Sequence, residues 1–105
     1  MKNDDFEITK EVNQDGVAKI TVTGYVNSIN APELQYELED TIKEGHKNIV
    51  LNMSRVEFLS SIGVRTLLKI YKQAGAAGGK FNIERPSEVV RNVLGIAALN
   101  DMLIK

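Results

Sequence analysis

The apolar residues of this chain switch repeat along its length, and that switching limits the folds open to it more than any single motif does. Phe6 and Ile8 alternate with Glu7 and Thr9, which reads as a strand. From Val17 to Thr23, Ala18, Ile20 and Val22 share one face while Lys19, Thr21 and Thr23 share the other. Between the two runs stands Asn13-Gln14-Asp15-Gly16, and Asp-Gly is turn chemistry, so a hairpin with a tight turn is expected. The repeat then lengthens. Leu34, Leu38 and Ile42 fall at i, i+4 and i+8, the core stripe of a helix. Asn30 stands as its N-cap, Pro32 in its first turn, Glu33 at the capping-box position and Gly45 at its end.

Asn48 to Met53, with Ile49-Val50-Leu51, reads as a nearly continuous apolar strand. A second helix is predicted from Ser60-Ser61 to about Ala74, with the stripe Val64, Leu67, Leu68, Tyr71 and Ala74. Gly75 to Gly79 is a glycine-rich exit, and Lys80 to Glu84 a strand with Phe81 and Ile83 on one face. Arg85-Pro86-Ser87 opens a third helix carrying Val89, Val90, Val93 and Leu94. A short turn or helical piece over 97–100 leads to Met102-Leu103-Ile104, a candidate last strand.

Strands alternating with helices imply parallel pairing through right-handed crossovers. The alternating strands are apolar on one face, whereas a sheet covered on both faces reads as continuous apolar runs. The expected fold is therefore a small α/β domain spanning residues 1–105. It has a mixed sheet of four or five strands, an N-terminal hairpin and helices mainly on one face.

Composition narrows the function. The net charge is −1, so the chain has no electrostatic footprint for nucleic acid. There is no cysteine, which removes disulfides, thiolate catalysis and cysteine-based zinc sites. No apolar run approaches the roughly 20 residues of a membrane helix, and the polar opening MKNDDFEITK has no signal core. A cytoplasmic, monomeric protein without membrane attachment, metal or cofactor is expected.

Enzyme chemistry finds little support. Ala74 to Phe81 departs from a phosphate-binding loop: it opens on Ala74, carries Phe81 after Lys80, and runs from helix to strand. His46 is the single histidine and precedes the middle strand, whereas the serines of interest follow that strand. A nucleophile needs a base beside it, and His46 stands at the wrong end. Glu33, Glu37, Glu39 and Asp40 read as the solvated face of the first helix.

What remains is Phe58-Leu59-Ser60-Ser61-Ile62-Gly63-Val64, which joins the central strand to the second helix. A serine at a helix start is ordinarily an N-cap. A helix start also tolerates a phosphate, and phosphorylating a serine adds roughly −1.5 to −2 charge. Gly63 keeps the first turn slim, an opening for another protein.

The chain resembles the STAS domain, in particular the bacterial anti-sigma factor antagonists. The resemblance runs in order through Val22-Thr23-Gly24-Tyr25-Val26-Asn27, Ala31-Pro32-Glu33-Leu34 and the long stretch from Ile49 to Gly63. It continues in Arg65-Thr66-Leu67-Leu68, Gly79-Lys80-Phe81 and Val93-Leu94-Gly95-Ile96. It implies partner switching: the unphosphorylated antagonist binds an anti-sigma factor, often also a serine kinase, and frees the sigma factor. Phosphorylation turns binding off, and a PP2C-type phosphatase resets it.

Carried over by position, the phosphoacceptor is Ser61, with Ser60 the competing acceptor. Where the family commonly has an acid, this chain has Ser60 and Asn27. The partner surface is expected to include Asn27, Ser28, Asn30, Ser60, Ser61, Ile62, Gly63, Arg65 and Lys69, and Ser61→Ala is expected to cost a helix cap. STAS-like domains also serve in lipid-trafficking complexes and sulfate transporters. A regulatory or structural subunit without phosphorylation is therefore the alternative, and Ser60-Ser61 would then be a cap alone.

Overall fold

The computed structural model describes residues 5–105, so the first part of the polar opening lies outside the described residues. Eight elements follow in order: β1 (Phe6–Val12), β2 (Ala18–Val26), α1 (Ala31–Lys43), β3 (Asn48–Leu59), α2 (Ser61–Ala76), β4 (Lys80–Glu84), α3 (Glu88–Ile96) and α4 (Asn100–Leu103). The four strands form one sheet in the order β1-β2-β3-β4. β1 pairs antiparallel with β2, and the other pairings are parallel.

The one-sided strands behave as their alternation requires. Ala18, Ile20, Val22 and Val26 of β2 are buried, as are Ile49, Leu51 and Met53 of β3 and Phe81 and Ile83 of β4. Leu34, Leu38, Leu67, Ile70, Val90, Leu94 and Leu103 from the helices complete the same core. Lys19, Thr21, Thr23, Asn52 and Asn82 fall at the alternate strand positions and are less buried.

The hairpin is looser than Asp-Gly suggests. Val12 pairs with Ala18, which leaves residues 13–17 as the loop. Asn13 organises it: its Oδ1 accepts from the amides of Asp15 (2.9 Å) and Val17 (3.0 Å).

β3 runs to Leu59, well past the expected end at Met53. Against β2 its register slips twice, between Thr21 and Thr23 and between Gly24 and Tyr25. Each slip inserts one residue into β3, as a β-bulge does. The buried positions accordingly change from 49, 51 and 53 to 56 and 59. Alternation stops while pairing continues.

In α2 the buried stripe is Gly63, Thr66, Leu67, Ile70 and Ala74. Of the expected stripe, Val64 and Leu68 are partly buried and Tyr71 is exposed. The helix is rolled because Gly63 sits against the sheet. A Cβ there would lie 2.7 Å from Leu59 Cδ1 and 2.8 Å from Val26 Cγ1. The expected last strand shrinks to a single parallel bridge between Ile83 and Ile104, and α4 occupies the residues before it. Lys105 N donates to Ile83 O at 3.0 Å.

α1, α2 and α3 end alike. His46 N bonds Thr41 O, Gly79 N bonds Ala74 O and Leu99 N bonds Leu94 O, and in each case the preceding amide, of Gly45, Gly78 or Ala98, bonds the carbonyl three residues before it. This is the Schellman arrangement, with a left-handed residue after the cap. Gly45 (φ 100°) and Gly78 (φ 86°) fill that position in α1 and α2, but Ala98 (φ 60°) fills it in α3.

Candidate partner-switch site

The carboxyl ends of β2 and β3 lie side by side, with Val26 paired to Leu59. Two loops leave this edge, residues 27–30 into α1 and Ser60 into α2. The amide of Ser60 donates to Val26 O at 2.9 Å, which ties the start of the second connection to the end of β2.

Ser60 and Ser61 are adjacent but not equivalent. Ser60 is extended (φ −84°, ψ 169°) and is the N-cap of α2: its Oγ accepts from Gly63 N at 3.1 Å. Its carbonyl accepts from Val64 N at 3.0 Å, and the residue is half-buried. Ser61 is the first helical residue and is exposed, and its hydroxyl makes no hydrogen bond among the described residues. The cap expected to be lost in Ser61→Ala therefore belongs to Ser60.

In the other loop, Asn27 Oδ1 accepts from Ile29 N (3.0 Å) and Asn30 N (2.9 Å). The expectation of a side-chain N-cap and capping box at Asn30 is not met. Asn30 has helical dihedrals and makes no cap bond, and its Nδ2 donates to Tyr25 O at 2.8 Å. Its amide already has a partner in Asn27, so the loop is organised one step earlier. Asn27 and Asn30 thus hold the loop's shape, while Ser28 and Ile29 face outward, Ile29 with 75% exposure.

Gly63 is also placed differently from its expected role at a partner surface. It is buried against Val26 and Leu59 and seats the helix from within. Ile62, Arg65 and Lys69 are exposed on α2. The helix carries Arg65, Lys69 and Lys72 and no acid. None of the three cations makes an ion pair among the described residues, where Lys10–Glu44 does at 3.2 Å.

Sequence reading missed two apolar contributors. Phe58 is 44% exposed and its ring stacks on Tyr25 with centroids 6.2 Å apart. Ile29 belongs to no helical or strand stripe, and an apolar residue outside every stripe was the signal that could have marked it. Ile29, Phe58 and Ile62 lie on the segments that frame Ser61.

The remaining candidates lie elsewhere. His46 follows Gly45 at the opposite end of β3 from Ser61. The glycine run closes α2, and Gly79 is pressed against the backbone of Lys47. Glu39 Oε2 accepts from Gln35 (3.2 Å) and from Gln73 of α2 (2.8 Å), a helix-to-helix tie. Among the described residues no group of three or more His, Cys, Asp or Glu could hold a metal, and no helix is long and apolar enough to cross a membrane.

A small α/β domain with one mixed sheet and a serine-capped helix at the carboxyl edge of its parallel strands defines a recognisable class. The STAS domain family model matches residues 9–105, and the chain belongs to that family. It is 32% identical over 79% of its length, and 72% of the other's, to BtrV of Bordetella bronchiseptica, named as a candidate anti-sigma factor antagonist. It is 26% identical over 81% of its length, and 69% of the other's, to the anti-sigma-F factor antagonist RsfB of Mycobacterium tuberculosis. Its fold matches that of the unphosphorylated anti-sigma factor antagonist SpoIIAA with a TM-score of 0.81 at 21% identity. That match covers 93% of this chain and 86% of SpoIIAA.

Proposed function

We propose that this protein is an anti-sigma factor antagonist that works by partner switching at Ser61. One observation carries the choice of residue: of two adjacent serines, one hydroxyl is used as a helix cap and the other faces solvent unbonded. The named functions of BtrV and RsfB support the general role. SpoIIAA, of the same fold, has been solved in a phosphorylated form as well.

In this reading the unmodified chain is a binding module, not a catalyst. It docks on an anti-sigma factor that is also a serine kinase, through Ser28, Ile29, Ile62, Arg65 and Lys69 around Ser61. The kinase transfers the γ-phosphoryl group of ATP: the Ser61 Oγ–P bond forms, the bond to ADP breaks and the hydroxyl proton leaves. A PP2C-type phosphatase hydrolyses the ester, returning the hydroxyl and inorganic phosphate. The added roughly −1.5 to −2 charge lowers affinity without unfolding the domain.

The test is calorimetric titration of the anti-sigma kinase from the same genome. The unmodified chain should bind, Ser61→Ala should bind without accepting ³²P from ATP, and Ser61→Asp should bind at least tenfold more weakly. Equal affinity of Ser61→Asp and the unmodified chain would defeat the switch. Label retained in Ser61→Ala would move the acceptor to Ser60.

A further inference from the structure

We propose that Arg65 is the intramolecular receptor for the phosphate on Ser61, an inference that rests on Ser61 as the acceptor. α2 turns Gly63, Thr66, Leu67, Ile70 and Ala74 inward, which leaves Ser61 and Arg65 exposed on its outer side. They stand at i and i+4, where Cβ atoms are about 5–6 Å apart. Long side chains on a helix lean back toward its N-terminus, so Arg65 reaches toward Ser61. An anion placed N-terminal to a cation at this spacing is also the favourable order. A phosphoserine offers three acceptor oxygens, and a guanidinium fits them with two parallel donors.

Arg65 makes no ion pair among the described residues. The segments meeting at this edge, residues 26–31 and 58–64, contain no charged side chain. The first charges beyond them among the described residues are Glu57 in β3, Glu33 in α1, Arg65 itself, and Asp5, whose carbonyl accepts from Tyr25 N at the same end of β2. Lys69 and Lys72 lie two and three turns along α2, out of reach of a group on Ser61. Ser60 has Val64 at i+4 and its hydroxyl already accepts from Gly63 N, so a phosphate there would find no such receptor.

The clamp has a regulatory consequence. Unmodified, the outer stripe of α2 presents Arg65 to a partner. Once Ser61 carries phosphate, Arg65 is held within the chain and the start of the stripe becomes net negative. One modification thus removes a cation from the docking face and adds an anion to it.

The test needs no partner. Phosphoserine is installed at position 61 by genetic encoding, and its second ionisation, ordinarily near 6, is followed by ³¹P NMR at low salt. The group at 61 should ionise two- to threefold more readily than the same group in Arg65→Gln. That is a lowering of about 0.3–0.5 pKa unit, which high salt should erase. Lys69→Gln and Glu57→Gln should leave the difference in place. Phosphoserine installed at 60 should ionise equally in the unsubstituted and Arg65→Gln chains. Equal ionisation of phosphoserine 61 in the unsubstituted and Arg65→Gln chains would overturn the clamp. A phosphate that ionises as expected in a chain that no kinase modifies would leave the clamp standing and defeat only the partner-switch reading.

Discussion

Ser60 and Ser61 differ by one position, and by exposure and hydrogen bonding as well. The cap role of Ser60 gives a stability prediction that separates them. Ser60→Ala removes the acceptor for Gly63 N and should lower unfolding free energy by about 1 kcal/mol in urea titrations. Ser61→Ala should change it by less than about 0.5 kcal/mol, because an exposed, unbonded hydroxyl is lost. Equal losses would place the cap wrongly. The sequence could mark this pair as special but could not rank the two as caps, since either serine can occupy an N-cap and only the path of the chain decides. Asn30 failed for the same reason: it has the right chemistry for a cap, but the chain gives it helical dihedrals and turns its side chain to Tyr25 O.

At the scale of elements, periodicity was readable wherever the backbone stayed regular. β2, β4 and the inward face of α1 are close to what alternation and i, i+4 spacing require, with Leu34 and Leu38 buried as expected and Thr41 buried beside a partly buried Ile42. β3 was read only to Met53 because its bulges break alternation without ending pairing, and a bulge leaves no local mark in composition. The roll of α2 was invisible because it follows in part from the contact of Gly63 with Val26, a residue distant in sequence. The three matched helix ends supply a prediction of their own. Ala98 holds φ 60° where the other two motifs have glycine. Ala98→Gly should therefore raise unfolding free energy by about 0.5–1 kcal/mol, measured in urea. A loss instead would mean that the side chain of Ala98 contributes more than its backbone conformation costs.

Across the whole molecule, the C-terminal tail does more than its length suggests. Leu103 is fully buried and Ile104 pairs with Ile83, so the last residues cover the outer side of β4 and plug the core beneath it. Leu103→Ala should cost about 2–4 kcal/mol and shift the urea midpoint without broadening the transition. A loss below about 1 kcal/mol would make the tail a peripheral strap. The fold class was legible early because strand–helix alternation and one-sided strands leave few topologies. The tail was not, since three apolar residues at a chain end suit a strand or a buried helical turn equally.

The bond from Ser60 N to Val26 O joins the two loops of the switch edge through the sheet itself. Under the switch proposed at Ser61, a change of charge would fall on two loops that the sheet already ties together. On that proposal the duration of each state would be the lifetime of a phosphoester, set by the enzymes that make and break it. Timing in such a circuit would then reside in the concentrations of those enzymes, with the domain as the record they write on.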